Sequence, residues 1–195
     1  MTHKENILKI EEFLETKLPL ELRNAYSQHT NYFMLDTEAI QKVVDFSHPF
    51  LKTDKIIIFG SEINGSRSIG IGKVFPQDVL GHYNSTIYLA LAGRLMPSTA
   101  TIHLAYFFPE TSPQAIEGVS IRMEKNAFNN GLIQPQEKGS TFYVETVVTK
   151  KKLNLVIVQT RIIFGQARFG LIENLRFVLA EKHSIYKATL IPEVI

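Results

Sequence analysis

Asp78, His82, Asn84 and Ser85 bring a carboxylate, an imidazole, an amide and a hydroxyl into one short stretch of the chain. Together, groups of these types can hold a carbonyl and take a proton from a water. They run directly into Thr86-Ile87-Tyr88-Leu89-Ala90-Leu91-Ala92-Gly93-Arg94-Leu95-Met96, whose single charge is Arg94. A helix apolar on most of its faces belongs inside a protein. Its first turn then carries free backbone N–H groups into the interior, where they favour negative charge. Two readings follow. Either the polar cluster handles a carbonyl or an oxyanion, or Asn84 or Ser85 caps a core helix.

Each residue has a chemical role and a plainer one. Asp78 is the carboxylate of the entry loop and so the candidate general base; otherwise it caps the loop. His82 can take the same part, because its ordinary pKa lies near neutrality; otherwise its ring packs beneath the helix. Asn84 can donate to a carbonyl or orient a water, and an N-cap in that place would still face a ligand. Tyr83 and Tyr88 lie on or beside the helix, lining the site or filling the core with satisfied hydroxyls.

The elements that must position this cluster come from the rest of the 195 residues, a length that suits one domain with a small N-terminal addition. Forty-five per cent of the residues are hydrophobic, and thirteen Phe with no Trp suggest a core of rings without polar handles. A formal net charge of +2 gives no electrostatic reason to expect nucleic acid. With no Cys, disulfides, thiolate metal sites and a Cys nucleophile are excluded. The six His are scattered without metal-ligand spacing, so no metal and no cofactor are expected. Gly65-Ser66-Arg67-Ser68-Ile69-Gly70-Ile71-Gly72 is glycine-rich but opens no helix, against a nucleotide role. No run of 18 apolar residues predicts a membrane span, and Met1 to Asn6 has no apolar signal core. The expectation is a cytoplasmic protein.

Residues 4–26 are expected to be helical, interrupted at Pro19, with Ile7, Leu8, Ile10, Phe13 and Leu14 at helical spacing. A second helix is expected from Thr37, as N-cap, to about Phe46, ended by His48-Pro49. Ile56-Ile57-Ile58-Phe59 and the alternation Ile69, Ile71, Lys73, Phe75 flank Asn64-Gly65, which predicts a hairpin. The apolar helix is expected from Tyr83 to Met96, ending near Pro97. A strand over Thr101–Phe108, a loop over 110–118, a strand from Val119 to Asn126 and a turn at Asn129-Asn130-Gly131 are expected next. Three strands then follow, Thr141–Thr149, Leu153–Phe164 and Leu171–Leu179, with Lys150-Lys151-Lys152 as a solvated hairpin end.

Without βαβ alternation a parallel sheet is disfavoured. One antiparallel sheet and one buried helix satisfy each other when the sheet wraps around the helix. The fold class expected is therefore α+β: a hot-dog fold, its sheet wrapped around one long buried helix, with N-terminal helices. Residues 1–50 form a helical segment packed on a hot-dog domain of residues 51–195. Within it, Phe75, Phe107, Phe108, Leu91 and Leu95 line an apolar tunnel or form ordinary core.

Gly81-His82-Tyr83-Asn84 and the helix behind it resemble the helix entry of FcoT-type fatty acyl-CoA thioesterases. The likeness runs back to His48-Pro49-Phe50, where that family also places a proline before an aromatic residue, and it covers roughly residues 45–98. It implies hydrolysis of medium- or long-chain acyl thioesters, on CoA or an acyl carrier protein, by a homodimer or higher homo-oligomer. Asn84 matches the family's asparagine. With His82, Asp78 and Tyr83 it makes the expected catalytic set, and Gly81, Ser85, Phe75, Tyr88 and Phe50 the substrate-binding set. Three positions depart from the family: Phe50 replaces a tyrosine, Phe75-Pro76-Gln77 replaces a segment with another tyrosine, and Gly93 replaces an asparagine.

Other readings stand beside this one. Phe75-Pro76 is similar to the His-Phe-Pro entry of hydroxyacyl-ACP dehydratases, but Val74 occupies the histidine position and the following helix carries no acid. A hot-dog module that binds acyl chains without turnover is a non-enzymatic alternative. A lipocalin-like carrier is disfavoured because a helix would fill its barrel.

Overall fold

The computed structural model describes residues 3–44, 53–75, 94–116, 122–123, 139–164 and 167–181. The chain runs α1 (His3–Leu14), α2 (Leu20–Tyr26), β1 (Tyr32–Leu35), α3 (Thr37–Val43), β2 (Lys55–Phe59) and β3 (Arg67–Val74). It continues with α4 (Leu95–Phe107), β4 (Thr111–Ala115), β5 (Arg122–Met123), β6 (Ser140–Lys152), β7 (Leu155–Phe164) and β8 (Ala167–Glu181). All the strands of the described residues join one antiparallel sheet in the order β1-β2-β3-β6-β7-β8-β4, with β5 pairing a second stretch of β8. The fold is α+β, a curled antiparallel sheet with helices on both of its faces.

Local chemistry accounts for most of the elements. Ile7, Ile10 and Leu14 make one buried face of α1. The helix ends as Glu15 turns to φ 55°, and Pro19 precedes α2. The β2–β3 hairpin forms as expected, with Phe59 opposite Arg67 and positive φ at Gly60 and Gly65 in the connecting loop. The lysine triplet closes β6, and a two-residue turn at Leu153-Asn154 leads into β7. Leu153 there is strongly exposed with φ 54°, a position that a glycine would occupy without strain.

Four expectations are corrected. The helix-capping side chain of α3 is Asp36, which accepts from Ala39 N at 2.9 Å; Thr37 instead donates to Asp54 O. No helix stops at Pro97, since α4 spans Leu95–Phe107 and Pro97 sits in its first turn. There the missing N–H has no intrahelical acceptor to lose. The strand expected over Thr101–Phe108 is the body of this helix. The loop expected over 110–118 contains β4, an edge position among the described residues, where Pro113 is tolerated. The earlier part of the expected helix, residues 83–93, and the expected turn at Asn129-Asn130-Gly131 lie outside the described residues; of the strand expected over Val119–Asn126, Arg122–Met123 is described as β5.

The two faces of the sheet bury different things. On the concave face α4 packs Leu95, Met96, Ala100 and Leu104 against Phe142, Val144 and Val148 of β6 and Val156, Val158 and Ile162 of β7. On the convex face α1 and α2 lay Ile7, Ile10, Leu14, Leu22 and Tyr26 over Ile57, Phe59, Ile69, Ile71, Tyr143 and Ile163. Side chains alternate along a strand, so β6 sends Val144 inward to α4 and Tyr143 outward to the N-terminal helices. Ionic contacts reinforce the outer face. Tyr26 OH donates to Glu145 Oε1 at 2.5 Å, and Arg161 bridges Glu145 and Glu21. Arg23 pairs with Glu11, whose Oε1 also accepts from Leu18 N at 2.9 Å.

Candidate functional site

The concave face carries a buried polar seam where α4 crosses β3. Ser68 and Gly70 share one face of β3. Their cross-strand partners are Thr146 and Val144 of β6. Thr146 in turn faces Thr160 of β7 and donates to its hydroxyl at 3.3 Å. From the helix side come Ser98, Thr99 and His103, all buried. Thr53 Oγ1 lies 2.9 Å from Ser98 Oγ and 3.1 Å from Thr99 Oγ1, tying the start of β2 to the helix.

Gly70 sets how closely the helix approaches. A Cβ there would fall 2.6 Å from Thr99 Oγ1 and 2.7 Å from its Cγ2. Thr99 is fully buried and β-branched, so it cannot swing away cheaply. Gly70→Ala is expected to destabilise the fold by about 1–3 kcal/mol through overpacking, measured by urea unfolding. Adding Thr99→Ala to the same variant recovers most of that loss, because the clash is with that side chain.

His103 is completely buried, and its Nε2 lies 2.8 Å from Ser66 Oγ. Ser66 Oγ also contacts Ile63 O at 2.7 Å. A carbonyl only accepts, so the one serine proton goes to Ile63 O and the imidazole donates from Nε2–H. His103 Nδ1 is then a bare lone pair, and it has no hydrogen-bond partner. Burial in apolar surroundings lowers the His103 pKa to about 3. The ring is neutral at pH 7 and offers a bare hydrogen-bond acceptor inside the core. Ser68 Oγ, fully buried on the same face, is also without a partner.

Of the residues expected from the sequence, Phe75 lies half-buried just beyond β3. Its ring covers Gly139, where a Cβ would sit 2.7 Å from Phe75 Cε1 and where φ is 77°. Phe50, Asp78, Gly81, His82, Tyr83, Asn84, Ser85 and Tyr88 lie outside the described residues. Leu95 is buried within the α4 core, and Phe107 and Phe108 are half-buried at the far end of the helix. His103 was not singled out from sequence. Its signal is the spacing of Ser98, Thr99 and His103, a polar stripe that emerges only when the run is read at helical period. Among the described residues no cluster of His, Cys, Asp and Glu could hold a metal ion, and no helix is long and apolar enough to cross a membrane.

No protein-family model and no curated protein matches the sequence. Solved structures do. A chain of the dehydratase heterocomplex ApeI:P from Xenorhabdus doucetiae superposes with a TM-score of 0.53 at 9% identity, over 77% of this chain and 97% of that one. Protein AF1124 from Archaeoglobus fulgidus aligns at 15% identity over 88% of this chain and 98% of its own, with a TM-score of 0.35. The first match, together with a sheet curled over a buried helix, makes the fold hot-dog-like.

Proposed function

We propose that the protein acts on fatty acyl thioesters, hydrolysing medium- or long-chain acyl groups carried by CoA or an acyl carrier protein. The observation that carries this reading is the curled antiparallel sheet closed over the apolar helix α4, a hot-dog-like frame with an apolar interior. In this reading the thioester carbonyl is held at the helix entry around Gly81 and Ser85. Asn84 donates to it or orients the water. Asp78 or His82 takes the proton of that water as its oxygen bonds to the carbonyl carbon, and the thiolate leaves with a proton. Tyr83 and Tyr88 flank the carbonyl, and Phe50 and Phe75 contact the chain. The protein works as a homodimer or higher homo-oligomer.

Release of free thiol from a panel of acyl-CoAs, short to long, tests this with wild type and Asn84→Ala side by side. The expected result is chain-length-dependent turnover that falls roughly 10²-fold in the variant, the scale of a lost oxyanion donor. Saturable binding without turnover by either protein would overturn hydrolysis and leave an acyl-binding module.

A second reading, dehydration of a hydroxyacyl thioester, draws on a specific observation. His103 supplies a neutral, buried imidazole on the concave face, and the superposed Xenorhabdus complex is described as a dehydratase. Dehydration removes a proton from the carbon next to the carbonyl and expels the hydroxyl as water. The same panel extended to hydroxyacyl and enoyl thioesters separates the two, because loss of water creates the absorbance of a conjugated thioester and releases no thiol.

A further inference from the structure

Two buried polar atoms on the α4–β3 seam lack what their chemistry demands. His103 Nδ1 needs a donor, and Ser68 Oγ has a proton to give and lone pairs to share. Both residues are completely buried. Leaving such groups unsatisfied costs about 1–3 kcal/mol each, and native interiors rarely keep them so. Their placement is common to both. Along β3 and the residue before it, Ser66 meets His103, Gly70 meets Thr99, and Ser68 stands between them on the same face. Thr99 and His103 are one helical turn apart and so lie on one side of α4. The neighbouring hydroxyls are already engaged: Ser66 with Ile63 O, Thr146 with Thr160, and Thr53 with Ser98 and Thr99. None of them is a hydrogen-bond partner of His103 Nδ1 or Ser68 Oγ.

A hydroxyl has the chemistry that each of these atoms lacks. A hydroxyl can donate to His103 Nδ1 while accepting from Ser68 Oγ–H. A carbonyl cannot donate to Nδ1, and a cation would meet a core with no carboxylate on this face among the described residues, since Glu145 points to the other side. We propose that the seam is a recognition site for a single neutral hydroxyl, carried by an acyl ligand lying along α4. This rests on the acyl-thioester reading and deepens it, because it assigns the protein a preference for hydroxylated over unsubstituted acyl chains.

The test uses non-hydrolysable thioether analogues of acyl-CoAs of one chain length, unsubstituted or bearing one hydroxyl at successive carbons. Binding is measured by calorimetry on the full chain. The expected result is roughly ten-fold tighter binding at one hydroxyl position than for the unsubstituted analogue, the worth of one to two net hydrogen bonds. Ser68→Ala should erase that ratio and leave affinity for the unsubstituted chain unchanged. The unliganded variant should melt at the wild-type temperature or above, because it deletes an unpaired hydroxyl. His103→Gln serves as a second variant and should likewise reduce the ratio. Equal binding of all analogues to wild type would overturn the inference alone and make this a water site. A ratio that survives Ser68→Ala would do the same. No binding of any analogue would overturn the acyl-thioester reading together with it.

Discussion

Glu145→Ala is expected to lower the stability of the protein by about 3 kcal/mol. Glu145 is almost fully buried in β6, where it accepts from Tyr26 OH and pairs with Arg161. Removing it leaves a guanidinium with only 15% side-chain exposure paired to Glu21 alone of its two carboxylates, and strands a phenol at the centre of the N-terminal cluster. Burial pushes the Tyr26 pKa up, and the Glu145 charge pushes it further, so the phenol stays protonated and must find an acceptor. Burial works against the charge on Arg161, and Glu145 and Glu21 together hold it in place, leaving its pKa above the ordinary value. Denaturant unfolding of Glu145→Ala, Tyr26→Phe and the double variant checks the account. Tyr26→Phe alone should cost about 1 kcal/mol, and the double variant less than the sum, since the orphaned phenol is then absent. Strict additivity would mean that the two groups do not interact.

Acid is expected to unfold the protein through His103. Its pKa lies at about 3 in the folded state against 6.5 for the free side chain. The unfolded chain therefore binds a proton more readily than the native one between these values. This contribution to stability is present in full above pH 6.5 and is lost progressively as the pH falls toward 3. Between pH 7 and pH 4 the loss amounts to about 3 kcal/mol. Urea midpoints across that range should decline in wild type and decline less in His103→Gln, whose side chain fits the same seam without titrating. Parallel slopes in the two proteins would show that the ring accepts its proton inside the fold.

Why α4 was misplaced by the sequence and β6, β7 and β8 were not comes down to burial. A strand buried on two different faces still alternates, and Tyr143, Glu145 and Val147 separate cleanly from Phe142, Val144 and Thr146. Asn64-Gly65 and Pro19 mark local breaks that no tertiary contact overrides. A helix buried all round has no polar face to betray its period. Within α4, Ile102 packs toward α3 and β2 while Leu104 and Ala100 pack toward β6 and β7. The run from Thr101 to Phe108 therefore reads as an apolar strand, and Pro97 as a stop rather than a first-turn residue. The same error hid the seam. With Thr101–Phe108 as a strand, His103 and Thr99 fall on separate elements and no constellation exists. β4 went unread because Thr-Ser-Pro-Gln-Ala has the composition of a loop and becomes a strand only by lying against β8.

The pairing of Tyr26 with Glu145 and of Glu21 with Arg161 spans 119 and 140 residues of chain. The N-terminal helices are made before the strands they cover, and β6 and β7 come much later in the chain. Until β6 and β7 arrive, the apolar faces of α1 and α2 have only Ile57, Phe59, Ile69 and Ile71 of β2 and β3 to bury against, and a short isolated helix is marginal in water. Contacts of such sequence separation are closed late and slow folding down. The arm that seals the outer face thus completes its seat only when β6 and β7 are in place, and the nascent chain carries a partly uncovered apolar surface until then.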